Sequence, residues 1–353
     1  MRTLKLLKEF SLQLRLELKV LCKNINMPKV SVIIPNYNHA RFLEQRIQSI
    51  LDQTFQDFDL TYLDDASSDD SNDVFAKFDC QPRIKAIYNQ QNSGSPFKQW
   101  NKGVRATTGE YIWIAESDDV ADPTFLDTLV PLLDQNPQVG LAYCQSRQID
   151  SNNVVVLSTL RQWAEDLSQS RWSNDFIANG FTECQQYLLF NNNIPNASAV
   201  LIRRSVYEAI GGAEESMFFA GDWMTWLKIL LKSDLAFSAQ ILNSFRSHES
   251  SVSSRSFKSK VGIYEHLLVI YNLKVPLEIS LETLSDFKKR MLCNWIDLTF
   301  NPDSKVSLKD QIKFYMLAAK TFDNVNGIVL REFAAHLKRR SIGQIKRWAS
   351  RSA

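Results

Sequence analysis

Glycine is scarce in this sequence, and its scarcity excludes two common classes of nucleotide-binding protein. The 353 residues include 11 glycines, and the first of them is Gly94. A dinucleotide-binding G-x-G-x-x-G motif needs glycines after an early strand, where they form a tight turn and let the pyrophosphate approach the backbone. No such motif follows an early strand, and G-x-x-x-x-G-K-[ST] occurs nowhere. The sequence therefore excludes a Rossmann-type dehydrogenase and a P-loop NTPase.

Cysteine is also rare, and long apolar runs are missing. The five cysteines are scattered and never form C-x-x-C, which argues against a disulfide scaffold and a structural zinc site. This pattern favours a reducing compartment. No apolar run reaches the ~18 residues that a membrane span needs, and the N-terminus lacks the pattern of a secretory signal. We therefore expect a cytoplasmic protein, peripheral to the inner face of the membrane if it binds lipid.

The composition that remains is that of a globular protein with unevenly placed charge. Hydrophobic residues make up 44% of the chain and charged residues 23%, and the length suggests about two domains. The formal net charge is +2, yet residues 1–27 carry +4 and residues 331–353 carry +6, which leaves −8 on the rest. An acidic body argues against nucleic-acid binding. The basic ends are segments that an anionic membrane surface would attract.

Residues 3–22 predict a basic amphipathic helix, because leucines recur at helical spacing with lysine and arginine between them. Two placements of this helix stay open: it packs on the body or on a second subunit, or it lies on a membrane surface. The alternating leucines from Leu12 to Leu18 also fit the period of a strand.

From Pro28 onward, short apolar runs alternate with helical patterns, which predicts a parallel sheet in an α/β domain. The stretch 151–195 is polar and predicts a loop-rich insertion, and residues 260–353 predict helices. The predicted strands are Val30–Ile34, Phe58–Leu63, Ile84–Tyr88, Tyr111–Ala115, Val139–Cys144 and Ser198–Ile202.

Three polar clusters follow three of the predicted strands: Pro35–Asn38, Asp64–Asp69 and Glu116–Asp119. In an open parallel sheet, ligands bind outside the carboxyl ends of the strands, so these clusters should converge. Converging carboxylates repel one another unless a hard cation such as Mg²⁺ or Mn²⁺ neutralises them, and such a cation suggests a phosphate-bearing ligand. Turn chemistry would explain any one cluster alone. Three at strand ends favour a metal–nucleotide cleft.

These blocks, in this order, resemble family 2 glycosyltransferases, which are inverting sugar transferases of the GT-A fold. The resemblance covers about residues 28–255. It implies an α/β GT-A domain, Rossmann-like and with a mainly parallel central sheet, at 28–255. A basic N-terminal segment at 1–27 and a helical C-terminal region with a basic tail at 256–353 would extend it. Further matching blocks are Asn92-Ser93-Gly94, Asn101-Lys102-Gly103, Arg203-Arg204-Ser205, Gly221-Asp222-Trp223 and Phe245-Arg246-Ser247-His248.

The resemblance also implies a donor site and a divalent cation, Mn²⁺ or Mg²⁺. Glu116-Ser117-Asp118 resembles the D-x-D motif of the family, with Asp118 as the metal ligand and Glu116 and His248 assisting. An ordinary surface histidine is the alternative for His248, and a solvated helix charge is the alternative for Lys98. The residues expected to bind the nucleotide are Pro35, Asn36, Tyr37, Asp64, Asp65, Asn92, Lys98, Asn101, Ser117 and Asp119.

Asp222 resembles the catalytic base of the family, the aspartate of its Glu-Asp pair. Here Gly221 stands in the place of the glutamate, which puts the contact with the acceptor in doubt. A carboxylate on the acceptor side would take the proton from the attacking hydroxyl. The alternative for Asp222 is the N-cap of a helix over Met224–Leu231, and the two roles are compatible.

The resulting hypothesis is an inverting glycosyltransferase that moves a sugar from a nucleotide-diphosphate donor, expected to be a UDP-sugar. The acceptor would be a saccharide or lipid-linked saccharide, in surface polysaccharide or glycolipid assembly. One alternative is a catalytically inactive module that binds a nucleotide sugar. A nucleotidyltransferase is the other, although such enzymes usually carry an early glycine-rich, basic phosphate loop, which this chain lacks before Gly94.

Overall fold

A computed structural model of the chain describes residues 27–160, 167–168, 170–189, 191–249, 259–301, 304 and 306–331. The amphipathic helix predicted within residues 3–22 and the basic residues 332–353 lie outside the described residues. None of the helices in the described ranges is long and apolar enough to cross a bilayer.

The strands and helices alternate through the first 150 residues, as the sequence predicts. The strands are β1 (Val30–Asn36), β2 (Phe58–Asp64), β3 (Ile84–Tyr88), β4 (Tyr111–Ile114), β5 (Val120–Ala121), β6 (Val139–Ile149), β7 (Val155–Leu157), β8 (Phe176–Ala178), β9 (Val200–Arg203) and β10 (Asp234–Arg246). The helices are α1 (Ala40–Leu51), α2 (Ser71–Ala76), α3 (Pro96–Ala106), α4 (Phe125–Asp134), α5 (Gly180–Glu183), α6 (Arg204–Ala209), α7 (Gly221–Leu230), α8 (Lys260–Leu273), α9 (Leu281–Phe300) and α10 (Leu308–Thr321).

The strands form one mixed sheet in the order β3-β2-β1-β4-β9-β6-β10-β5, with β7 paired to β6 and β8 to β10. Strands β1 to β4 are parallel. Strand β9 is antiparallel to both β4 and β6, so β6 and its parallel neighbour β10 run in the same direction as β1 to β4. The predicted α/β class with a mainly parallel central sheet is confirmed.

Helices cover both faces of the sheet, which explains why β1 is apolar along its whole length. Val32 packs in the core that α1 and α4 share with one face. Ile33 points to the opposite core, which contains residues of α3 and α7. Residues of α8, α9 and α10 belong to this second core as well. The helical C-terminal region therefore shares its apolar core with the sheet.

Strand β10 is the main element that the sequence pattern missed. It spans Asp234–Arg246 and is longer than any other described strand. Its register against β6 shifts between Ser238 and Asn243, where polar residues interrupt the apolar pattern. The stretch 151–195 also contains β7, β8 and α5 rather than loops alone. Helix α7 begins at Gly221, three residues before the predicted start.

The direction of these strands determines which loops meet. The carboxyl ends of β1, β2, β4 and β10 lie at the same edge of the sheet, because these strands run in one direction. Strand β5 returns antiparallel to the end of β10 and pairs Ala121 with Asn243. This pairing brings the acidic loop after β4 beside the residues that follow β10.

Candidate active site

Three side chains that could hold a metal ion converge where β1, β4 and β10 end. One ligand atom from each of His39, Asp118 and His248 lies within 4.8 Å of the others. His248 Nε2 lies 2.9 Å from Asp118 Oδ2, and His39 Nδ1 lies 2.8 Å from Ser117 Oγ. Imidazole nitrogen and carboxylate oxygen are both ligands of divalent first-row metals, so this donor set fits a divalent cation.

The acidic loop concentrates negative charge in a buried place. Burial and the charge of Asp118 raise the pKa of Glu116 to about 8 and that of Asp119 to about 7. Burial works to raise the pKa of Asp118 too. The hydrogen bond from His248 and the nearby His39 outweigh it, and the pKa of Asp118 lies below its usual value. The loop keeps one carboxylate ionised at the point where the two imidazoles meet it.

Two arginines stabilise this loop. Arg246 donates from its backbone to Asp119 Oδ1 (2.8 Å) and from Nε to the carbonyl of Asp118 (2.6 Å). Arg46 is fully buried, and its guanidinium lies 5.0 Å from the Trp113 ring centroid. Burial lowers the pKa of Arg46 to about 10, against the opposing effect of the loop carboxylates. Arg46 is still charged at neutral pH and balances part of the charge of the loop.

Glu116 lies outside the candidate metal-binding trio of His39, Asp118 and His248, although we predicted it as a ligand. Its Oε1 accepts a hydrogen bond of 2.9 Å from Trp100 Nε1. The Trp100 ring in turn lies 5.9 Å, centroid to centroid, from Trp226 of α7. Glu116 thus links the acidic loop to the helices on the second face.

The loops after β1 and β2 are joined by hydrogen bonds. Asn36 Nδ2 donates to Asp64 Oδ1 (3.2 Å) and to Ser67 Oγ (3.1 Å), and Asp64 Oδ2 accepts from the backbone of Ser67 (2.9 Å). Asn36 Oδ1 is buried without a hydrogen-bond partner among the described residues. Pro35 is buried below this layer, and Tyr37 is 48% exposed. The ring of Tyr37 is therefore open to solvent directly after the buried Asn36.

Asp65 organises the loop before α3. Its carboxylate accepts from Asn89 Nδ2, from Gln99 Nε2 and from both the backbone and the hydroxyl of Ser93. Asn92 belongs to the same loop, since its amide donates to the Asp65 carbonyl (3.2 Å). Lys98, which is exposed, donates to the Ser93 carbonyl (2.9 Å). The polar groups of this loop are directed mainly at one another.

Asn101 lies in the interior, although the resemblance places it at the donor site. Its Oδ1 accepts from Tyr207 Oη (2.7 Å) and from the backbone of Ala213 (2.9 Å). Its Nδ2 donates to the Ala213 carbonyl (2.9 Å) and to Glu215 (3.0 Å). All polar atoms of the amide thus have protein partners. The side chain joins α3 to the turn after α6.

Asp222 lies in the first turn of α7, whose N-cap position is Ala220. The N-cap alternative for Asp222 is therefore wrong. Asp222 Oδ2 accepts from Asn192 Nδ2 (3.0 Å), and Oδ1 accepts from the backbone of Trp223 (2.7 Å). Burial raises the pKa of Asp222 to about 7, against these hydrogen bonds. Trp223 and Trp226, on the same helix, are core residues.

A short segment connects Asp222 to the acidic loop. At one end Asn192 holds the carboxylate of Asp222. At the other end Ser198 Oγ accepts from the backbone of Glu116 (3.1 Å) and bonds to the Asp119 side chain. Six residues span at most about 21 Å when fully extended. Asp222 and the candidate metal-binding trio therefore belong to one region of the molecule.

Gly221 has no room for a side chain. A Cβ atom at this position would collide with the ring of Phe97. That ring is buried and packs edge-on against Trp100, at 5.0 Å between centroids. The aromatic side chain of Phe97 thus fills the space that a side chain at position 221 would need.

His39, Arg46, Asn192 and Arg246 are the residues of this region that sequence reasoning did not assign. One signal for His39 was present, because it is one of only four histidines and follows the first strand by three residues. Asn192 lies in the stretch interpreted as a loop-rich insertion. Its contact with Asp222 depends on tertiary structure that no local pattern reveals.

Comparison with known proteins identifies the family. The family model described as Glycosyl transferase family 2 matches residues 31–211, about half of the chain. The chain belongs to glycosyltransferase family 2. An uncharacterized glycosyltransferase from Nostoc sp. is 28% identical over 250 residues, which cover 67% of this chain and 72% of that protein.

Solved structures of similar shape support the same fold for this family 2 enzyme. TarS from S. aureus, in complex with UDP-GlcNAc, matches with a TM-score of 0.59 at 19% identity, covering 85% of this chain and 84% of that one. A mannosyltransferase from Pyrobaculum calidifontis, in complex with GDP-Man and Mn²⁺, matches with a TM-score of 0.55 at 17% identity, covering 87% and 84%. The predicted GT-A fold is confirmed, and the chain is a glycosyltransferase that uses a nucleotide sugar.

Replacing Asn101 tests whether its role is structural. Asn101→Leu removes both halves of the buried amide network, so the free energy of unfolding should fall by about 1–3 kcal/mol. The dissociation constant for UDP should stay within about twofold of wild type, because no atom of the amide is left for a ligand. Urea unfolding and calorimetric UDP titration measure the two. The exposed Lys98→Ala should change stability by less than about 0.5 kcal/mol. If Asn101→Leu bound UDP more weakly while its free energy of unfolding stayed unchanged, Asn101 would be a donor-binding residue instead.

Proposed function

We propose that this protein is an inverting, metal-dependent glycosyltransferase that transfers a sugar from a UDP-sugar to an acceptor hydroxyl. The observation that carries the proposal is the convergence of His39, Asp118 and His248 at the sheet edge where Asp64 also lies. Family membership restricts the chemistry to sugar transfer. TarS in complex with UDP-GlcNAc and UDP supports the choice of a uridine donor.

The nucleotide would lie against the joined loops after β1 and β2. Asp64 keeps acceptor capacity on its carboxylate, and Asn36 Oδ1 is an acceptor without a partner in the described part of the chain. The N–H groups of a nucleotide base and the hydroxyls of a ribose are suitable donors for both. The exposed ring of Tyr37 would stack on the base. Asp65, Asn92, Asn101 and Lys98 would support the loops around the donor.

The divalent cation would be held by Asp118 and His248, as the resemblance implies, and by His39 in addition. Their ligand atoms lie close enough to share one ion. When bound, such an ion neutralises charge on the diphosphate leaving group. Asp119 and Ser117 would orient the loop, since Asp119 is fixed by Arg246 and Ser117 by His39. The Mn²⁺ found with the mannosyltransferase is consistent with this choice of ion.

Asp222 would act as the general base. Its carboxylate takes the proton from the acceptor hydroxyl as that oxygen forms a bond to the anomeric carbon. The bond from the anomeric carbon to the phosphate oxygen breaks on the opposite face, and the nucleoside diphosphate leaves. One such displacement inverts the anomeric centre. The hydrogen bond from Asn192 fixes one carboxylate oxygen of Asp222 and leaves acceptor capacity for the proton.

The acceptor would be a saccharide or lipid-linked saccharide, in surface polysaccharide or glycolipid assembly, at an anionic membrane surface. Residues 331–353 carry +6, and each charge near such a surface contributes about 1 kcal/mol of attraction. Helix α10, which precedes this segment, exposes Leu308, Ile312 and Met316.

The metal site is tested by removing two of its proposed ligands separately. Asp118→Ala and His39→Ala should each weaken Mn²⁺ binding by about tenfold or more, because each deletes a donor atom. UDP should then no longer raise the melting temperature in the presence of Mn²⁺, since a ligand stabilises only the fold that binds it. Calorimetry and thermal unfolding measure the effects, with the exposed Asp57→Ala as the matched control. A wild-type Mn²⁺-dependent shift in both variants would contradict the site.

Replacing Asp222 separates catalysis from donor binding. Asp222→Asn keeps the shape and the bond from the Trp223 backbone but cannot accept the proton, so transfer should fall by about 10²–10⁴-fold. Mn²⁺ and UDP binding should not change, because Asp222 lies outside the metal-binding trio. The release of UDP from a panel of UDP-sugars measures the rate, and the exposed Asp73→Asn is the control. Transfer by Asp222→Asn at near the wild-type rate would disprove the assignment.

The raised pKa of Asp222 predicts the pH dependence of transfer. A base must be deprotonated to act, and with a pKa of about 7 only about one tenth of the molecules are in that form at pH 6. The rate should therefore rise with pH and level off above about pH 8. Initial rates of UDP release between pH 5.5 and 8.5 would show this limb. A rate that is flat across the range would mean that Asp222 does not limit transfer.

Membrane binding is tested by neutralising the basic tail in the full chain. Replacing Lys338, Arg339 and Arg340 by glutamine removes three charges and should weaken binding to phosphatidylserine vesicles by about a hundredfold at low salt. Co-sedimentation with vesicles measures the bound fraction. Vesicles of phosphatidylcholine alone serve as the control, because they lack the charge. Equal binding of both proteins to anionic vesicles would rule out the tail as the membrane contact.

A further inference from the structure

A glutamate of the C-terminal region holds the backbone directly before the proposed base. Glu265 lies on α8 and is 5% exposed. Its Oε1 accepts from the N–H of Phe218 (2.7 Å), and its Oε2 accepts from those of Phe219 (2.8 Å) and Ala220 (2.7 Å). Three successive peptide groups, about 45 residues away along the chain, thus converge on one carboxylate.

This arrangement is strong and specific. Hydrogen bonds from backbone N–H groups to an ionised carboxylate are about twice as strong as neutral ones. A buried carboxylate persists only where such donors compensate for the lost water. The N-terminal turn of a helix begins with N–H groups that lack partners within the helix. At α7 the N-cap is Ala220, whose side chain accepts no hydrogen bond. Glu265, from another element, accepts from the N–H of this N-cap residue and from the two peptide groups before it.

The position of Asp222 depends on this turn. Asp222 is the second residue of α7, two residues after Ala220, and its other restraint is the bond from Asn192. The neighbour of Glu265, His266, packs edge-on against the Trp223 ring at 5.3 Å between centroids. Helix α8 therefore contacts the start of α7 on both sides of Asp222.

We propose that Glu265 is a positioning residue for the catalytic carboxylate, so that the C-terminal helical region forms part of the active site. The inference rests on the proposed function, because Asp222 must be the base for its position to matter. Glu265 does not touch the reacting atoms. It holds the backbone of residues 218–220, directly before Asp222, through three hydrogen bonds of 2.7–2.8 Å.

The charges around Asp222 agree with such a coupling. The negative charge of Glu265 adds to burial in raising the pKa of Asp222. His266, also on α8, is neutral at neutral pH, because burial lowers its pKa to about 4. Asn192, from the segment on the other side, carries no charge. Among the described residues, Glu265 is thus the charged group on a packed element that acts on Asp222.

The test is Glu265→Gln in the full chain, compared with Glu282→Gln, an exposed glutamate at the start of α9. An amide cannot accept at both ends, so at least one of the three backbone bonds is lost. Hydrogen–deuterium exchange of the peptide that contains Phe218, Phe219 and Ala220 should become faster. UDP binding with Mn²⁺ should stay within about twofold, and kcat should fall by about tenfold to a hundredfold, because a displaced catalytic group is costly.

The pH profile distinguishes positioning from a merely structural role. Loss of the Glu265 charge should move the rising limb of the rate to lower pH, whereas Glu265→Asp, which keeps the charge but shortens the reach, should lower kcat with less movement of that limb. The substrate is the nucleotide sugar, from a panel of UDP- and GDP-sugars, that the wild type hydrolyses fastest. Unchanged exchange in Glu265→Gln, or faster exchange with wild-type kcat and pH profile, would overturn the proposal.

Asp222→Asn, assayed in parallel, separates this proposal from the one on which it rests. If Asp222→Asn is inactive while Glu265→Gln matches the wild type, only the positioning role fails. If Asp222→Asn transfers normally, the base assignment itself fails. Should Glu265→Gln not fold, Glu265→Asp carries the same comparison, because it keeps the carboxylate that the three N–H groups need.

Discussion

The mutual repulsion of buried carboxylates is the constraint around which this fold is arranged. Glu116, Asp118 and Asp119 lie within four residues of one loop, where Asp119 is buried and the other two are half-buried. Two arginines from different parts of the fold balance this negative charge. Arg46 comes from α1, and Arg246 comes from the end of β10. The pairing of β10 with β5 and β6 brings Arg246 to the loop, and the same pairing places His248 beside Asp118.

Much of the sheet could be predicted from the sequence because parallel strands buried on both faces are apolar throughout. Strands β1 to β4 begin at the predicted residues and end within two residues of the predicted ends. Strand β10 was not predicted because serine, glutamine and asparagine interrupt its apolar pattern where its register shifts. The antiparallel direction of β9 is a property of the assembled sheet, since a four-residue apolar run is compatible with either direction.

The candidate site divides in the same way. The polar clusters after β1, β2 and β4 could be predicted because the sequence shows where each strand ends. The carboxyl ends of parallel strands lie at one edge of the sheet, so the side chains that follow them meet there. The resemblance could not say which of these groups the protein itself uses. Asn101 and Asp65 show the difference, because the fold already supplies hydrogen-bond partners for their polar atoms. Glu265 and Asn192 could not be predicted from the sequence, because each contacts its target from a distant part of the chain.

The close packing of Phe97 on Gly221 has a consequence for substitutions at both positions. Position 221 cannot take a side chain while the aromatic ring occupies that space. A larger residue there would require a smaller residue at position 97, and that change opens a void beside Trp100, whose indole donates to Glu116 of the acidic loop. The two positions are therefore coupled, because exchange of either one alone leaves a collision or a void in the core.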